Sequence, residues 1–273
     1  MTGRMQDKVV LITGSASGIG ELTARRFLAE GARVVLSDIN APKLEALASE
    51  LCCACVVTDV TSEEQVEQAV RYTVEQHGRL DCMINNAGMV GAVGPLMETT
   101  AQAWRATQAV LLDSVFYGTK HAARYMCAQR SGVILNVASI AGIMGGLGPH
   151  AYTAAKHGVV GLTRSAASEL SQYGVRVNAI APGTTVTPLV AGIRGSHEAA
   201  LRGAAEVSPL GTALMPEEIA AGLLYLASDE AAHITAYTLV IDSGVTGGGF
   251  ASGASVLRDR PNAFIGASGA QPE

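Results

Sequence analysis

Seven short runs of the chain are apolar at almost every position: KVVLIT (8–13), RVVLSD (33–38), CACVVTD (53–59), LDCMINN (80–86), GVILNVAS (132–139), VRVNAIAP (175–182) and YTLVID (237–242). Continuous apolarity, in place of the alternation of a half-exposed sheet, predicts strands buried on both faces. The stretches between them take a helical period and predict helices over 18–30, 41–51, 62–78, 100–129, 151–172 and 216–228. Several starts carry suitable chemistry. Thr61 and Ser62 precede EEQVEQAV, and Pro216 opens PEEIAAGLLYLA; a hydroxyl there accepts an orphan N–H, and a proline has none to lose.

Strands alternating with helices imply right-handed crossovers and a parallel sheet covered on both faces. The pattern therefore predicts one α/β domain over residues 1–249, a doubly wound Rossmann fold of about seven strands. Two segments break the rhythm. Residues 184–215 are long for a connection and read as a substrate loop. Residues 250–273, rich in Gly, Ala and Ser, read as a C-terminal tail.

Composition acts mainly by exclusion. With 48% hydrophobic and 16% charged residues in 273, a sizeable core is expected and disorder is not. Lys and Arg number 19 against 24 Asp and Glu, for a net charge of -5, and the basic residues are scattered. No nucleic-acid or anionic membrane partner is expected from that balance. The N-terminal MTGRMQDKVVLITG has only a short apolar run and no cleavage-site pattern, which argues against a signal peptide and a membrane span, so a cytoplasmic protein is expected. Cys52, Cys53 and Cys55 crowd into CCACVV without further ligands at suitable spacing. They read as buried small apolar residues at a strand start, and no metal site is predicted.

The candidate chemistry starts where the first strand runs into TGSASGIGE, with Gly14, Gly18 and Gly20 opening a helix. A turn tight enough to bring backbone N–H groups against a pyrophosphate needs residues without side chains, and the helix N-terminus favours the anion. The second strand ends at Asp38, where a carboxylate accepts from ribose hydroxyls and repels a 2'-phosphate, which points to NAD over NADP. Asp38 also reads as a helix cap. Further on, AYTAAKHG (151–158) sets Tyr152 and Lys156 one helical turn apart and on one face. A phenol of ordinary pKa about 10 is a poor base at neutral pH, and a nearby ammonium favours its ionised form. The pair reads as an acid–base device. His150 and His157 flank it and read as lining or surface residues.

These pieces, in this order, resemble the short-chain dehydrogenase/reductase family over residues 6–249. The matching phrases are TGSASGIG (13–20), Asp59-Val60, NNAG (85–88), Ser139 in NVASIAG, YTAAK (152–156) and PGTTVTP (182–188). The resemblance implies an oxidoreductase that moves a hydride between NAD and a secondary alcohol or ketone, with Ser139, Tyr152 and Lys156 catalytic. It implies Asp59 and Val60 at the adenine, and Asn86, Ala87 and Gly88 at the middle of the cofactor. Pro182, Gly183, Thr185 and Thr187 would hold the nicotinamide amide, and Lys156 its ribose. Ser17 and Ile19 join the glycines in that cofactor-binding set, as Ile39 joins Asp38.

The match has departures. Relatives usually carry an asparagine within the phrase VLLDSVFYG, where this chain has Leu111, and that asparagine is associated with a water relay to the active-site lysine. Relatives also often have glycine where this chain has Ala236 and Ser243. The expected substrate wall is apolar, drawn from Ile140, Ile143, Met144, Leu147, Leu189, Val190 and Ile193, and suits a hydrophobic alcohol or ketone. The alternatives are a 3-oxoacyl-carrier-protein ketoreductase, against which Asp38 speaks, and an NAD-binding regulatory protein of weak turnover. A homotetramer is expected, with a homodimer as the second choice.

Overall fold

Each apolar run supplies a strand: β1 (Val9–Thr13), β2 (Arg33–Asp38), β3 (Ala54–Val57), β4 (Cys82–Asn85), β5 (Gly132–Val137), β6 (Val175–Pro182) and β7 (Thr238–Ile241). All pairings are parallel, in the order β3-β2-β1-β4-β5-β6-β7. The computed structural model describes residues 3–247, so the tail expected over 250–273 lies outside the described residues.

The unbroken apolarity of the strands follows from two cores. Val10, Ile12 and Leu36 pack on one face with Phe27 of α1 (Gly18–Ala29), Leu44 of α2 (Ala41–Leu51) and Leu223 in Pro216–Ala227. Leu11, Val35 and Met83 pack on the other with Val70 of α3 (Glu63–His77), Met126 in Ser114–Gln129 and Leu170 in His150–Leu170. Neighbouring residues of one strand thus feed opposite cores, and neither face can be polar. The outer strands β3 and β7 are only half-buried. For the same reason the cysteines are not all interior: Cys53 and Cys55 are half-buried beside that edge, and Cys52 is exposed. Cys52 ends α2 in the left-handed conformation, at φ 52.

Two other expectations are corrected. The helix expected over 100–129 is interrupted: α4 (Ala101–Gln108) passes through a π turn (Ala109–Asp113) into α5 (Ser114–Gln129). A π turn takes in one extra residue and shifts the faces of the helices on either side. The long connection over 184–215 contains α7 (Pro188–Arg194) and α8 (His197–Glu206), capped by the hydroxyls of Thr187 and Ser196. After α6 (His150–Leu170) and β6, the chain closes with α9 (Pro216–Ala227) and β7. Ala236 and Ser243, flanking β7, both adopt left-handed backbone, at φ 61 and 57.

Candidate active site

The sheet order reverses between β1 and β4, and the crevice beyond the carboxyl ends of strands at such a reversal is where open α/β sheets bind ligands. The turn from β1 to α1 is built for close backbone approach. Gly14 has φ +64, and a Cβ there would stand 2.6 Å from the Ala87 Cα. A Cβ on Gly20 would stand 2.2 Å from the Gly14 carbonyl oxygen. Asn86 fastens this turn from the β4 side, its Nδ2 donating to the carbonyls of Thr13 and Gly14, each at 2.9 Å. Thr13 returns the contact by accepting the backbone N–H groups of Asn86 and Ala87. The Asn86 amide is therefore committed to the loop, a role its motif did not announce.

Asp38 performs a related task. One carboxylate oxygen accepts the Ala16 N–H at 3.0 Å, and the other accepts the Asn40 N–H at 2.9 Å. The cap of α2 is Asn40, whose side chain accepts from Lys43 N, so the cap role expected of Asp38 belongs to its neighbour. A carboxylate has about four acceptor sites, and Asp38 keeps capacity for ligand hydroxyls. Next to it Ile39 is 67% exposed, an apolar side chain facing solvent at the same edge. Asp59 accepts from both the N–H and the hydroxyl of Thr61, holding the turn after β3 beside a half-buried Val60.

A cavity of about 290 Å³ opens at the same edge. Ser139, Tyr152 and Lys156 line it together. So do Ile19, Asn86 and Gly88 from one side and Pro182, Gly183, Thr185 and Thr187 from the other. Gly14, Ser17, Gly18, Gly20, Asp38, Ile39, Asp59, Val60 and Ala87 are not in its wall; they lie at the β1–α1 junction and at or just after the carboxyl ends of β2, β3 and β4. Of the expected substrate wall, Ile140, Leu147, Leu189 and Val190 are present. Ile143, Met144 and Ile193 are not, and all three are exposed. Met89, Val90 and Pro149 line the cavity without having been singled out, because loop residues carry no periodic signal. His150 and His157 are both exposed.

Lys156 is 4% exposed. Its Nζ donates to the Val137 carbonyl at 2.7 Å and lies 5.7 Å from the centre of the Tyr152 ring. Burial pushes the ammonium down to about 8. The Tyr152 phenol is raised above 10 by its enclosure, with the Ser139 hydroxyl pulling the other way. Ser139 accepts the Ala141 N–H at 3.1 Å, which leaves its O–H free to donate. The wall thus holds a donor hydroxyl, a phenol and a buried ammonium together. Leu111, fully buried, lines the cavity from the π turn and offers no polar atom.

Among the described residues no group of three or more His, Cys, Asp or Glu is placed to hold a metal, and no helix is long and apolar enough to cross a membrane.

Comparison with known proteins places this geometry in a large group. A family model described as Enoyl-(Acyl carrier protein) reductase matches residues 14–246. Borneol dehydrogenase, mitochondrial, from Lavandula x intermedia is 42% identical over 247 residues, covering 89% of this chain and 92% of its own. Levodione reductase from Leifsonia aquatica is 41% identical over 255 residues, covering 89% and 96%. A crystal structure of levodione reductase superimposes with a TM-score of 0.84 at 39% identity, over 89% of this chain and 99% of that one.

Proposed function

Since the chain belongs to the short-chain dehydrogenase/reductase family and is an oxidoreductase of alcohols and ketones, we propose that it oxidises hydrophobic secondary alcohols with NAD, or reduces the matching ketones with NADH. The observation that carries this reading is the shared cavity wall of Ser139, Tyr152 and Lys156, with Asp38 at the far end of the same sheet edge. The cofactor fits the residues present: a glycine cradle with no room for a Cβ, the N-terminus of α1, and a carboxylate where a 2'-phosphate would be repelled.

Bound NAD supplies the hydride acceptor. Tyr152 takes the hydroxyl proton during oxidation and returns it during reduction. Lys156 helps in two ways: its positive charge favours the phenolate, and its two donors beyond the bond to Val137 can hold ribose hydroxyls. Ser139 donates to the substrate oxygen and orients it, which lowers the cost of bringing the reacting atoms together. Leu147, Leu189 and Val190, with Met89 and Val90, favour an apolar ring over a charged substrate. The levodione and borneol in the names of the two relatives are compact cyclic molecules and support the same substrate class. We infer a homotetramer as the assembly, supported by the exposed Trp104 and Phe116 on α4 and α5 and by the half-buried outer strand β7.

The test follows NADH absorbance with NAD or NADP against a panel of cyclic and terpenoid secondary alcohols, and in reverse against an acetoacetyl thioester. Turnover of the alcohols with NAD preferred is expected. Turnover of the thioester alone, with NADPH, would replace this reading with the ketoreductase one.

A further inference from the structure

We propose that Gln108 is a positioning residue that fixes the first turn of α6, and with it Tyr152. Gln108 is the last residue of α4, just before the chain enters the π turn. Its Nε2 donates to the carbonyl oxygen of Ala151 at 2.9 Å. Ala151 is buried and immediately precedes Tyr152.

Three observations give this bond its importance. The N-cap of α6 is Pro149, which provides no side-chain capping bond, so the turn carrying Tyr152 lacks the usual fastening at a helix start. Within that turn the side-chain bond of Thr153, to Gly148, is local to the chain around it, whereas Gln108 ties the turn to a separate element. Finally, Leu111 lies three residues beyond Gln108, inside the π turn and in the wall of the same cavity. One short stretch therefore contributes an apolar surface facing the reacting groups and an amide gripping the backbone that carries the phenol. Lys156 is held independently, through Val137 on β5. The relation of phenol to ammonium depends on two anchors, one from the sheet and one from Gln108.

The inference takes Tyr152 as the acid–base group proposed above, so its test includes a readout that needs no turnover. The chain is labelled at the ring Cζ of its seven tyrosines, and the Tyr152 resonance is assigned by its disappearance in Tyr152→Phe. Gln108→Met keeps the length and loses the donor; Gln108→Lys restores a donor. The expected result is a Tyr152 resonance shifted or broadened in Gln108→Met, with the other tyrosines unmoved, and close to wild type in Gln108→Lys. In turnover, Gln108→Met should lower kcat about tenfold with KM for NAD nearly unchanged, as a small misplacement of one reacting group does. It should also move the pH–rate profile to higher pH, and Gln108→Lys should recover most of both. An unmoved Tyr152 resonance in Gln108→Met overturns the proposal, as does a kcat and pH profile equal to wild type. If the wild-type protein turned over no alcohol while the resonance moved as expected, the failure would fall on the proposed activity and not on Gln108.

Discussion

Lys156 shows at the scale of one residue what the site costs. Its folded value of about 8 lies below the ordinary 10.5 because burial disfavours the charged form. Between those two values the unfolded chain binds more protons than the folded one, so stability gained from this residue rises with pH across that window. Below about pH 8 the penalty is fully present. The unfolding temperature of Lys156→Met, compared with wild type, should therefore be most favourable to the variant near pH 7, and that advantage should shrink from pH 8 to 10. Thermal unfolding at a series of pH values checks this; a constant difference would mean that the folded protein does not hold Lys156 at a lowered value. Tyr152 and Lys156 were legible in the sequence because helical spacing puts positions four apart on one face. Gln108 was not, since its partner is a backbone carbonyl 43 residues away and no spacing rule reaches across two elements. The double duty of Asn86 and Asp38, holding the glycine turn while facing the ligand edge, was equally hidden.

At the scale of the element, the strands and long helices were readable because burial on two faces imposes a pattern that survives local irregularity. The π turn was not, because its residues AVLLD fit a continuous helix, and the shift in hydrogen bonding leaves no trace in composition. The helices α7 and α8 escaped because they are short and separated by Gly195 and Ser196. The two places where related chains often carry glycine acquire a physical meaning here. Ala236 and Ser243 hold left-handed backbone, which costs a residue with a Cβ about 1 kcal/mol. Glycine relieves that strain and gives back a part through the entropy of the unfolded chain. Ala236→Gly and Ser243→Gly should each raise stability by about 0.5 kcal/mol, additively, with kinetics unchanged. Chemical denaturation of the two single variants and the double variant measures it; a loss of stability in both would show that neither position is strained.

The whole molecule places its polar chemistry along one edge of a sheet that is otherwise filled with apolar side chains, and the cavity shares Ile19 and Val137 with one of the two cores. Its outer surface is less self-sufficient: Trp104 and Phe116 remain exposed on the helices before α6, and β7 is half-buried. Light scattering coupled to size exclusion should give a mass close to four times the 28.0 kDa chain. A monomer or a dimer at micromolar concentration would contradict the assembly we infer. The proposed activity gives Tyr152 the proton in an NAD-linked exchange between alcohol and ketone. It is tested most directly by following NADH formation from a hydrophobic secondary alcohol with wild type and with Tyr152→Phe, after confirming equal folding and equal binding of NAD. A fall in kcat of at least about 100-fold is expected, the ordinary contribution of general acid–base catalysis, with KM for NAD little changed. A Tyr152→Phe protein that kept near-normal kcat would contradict it.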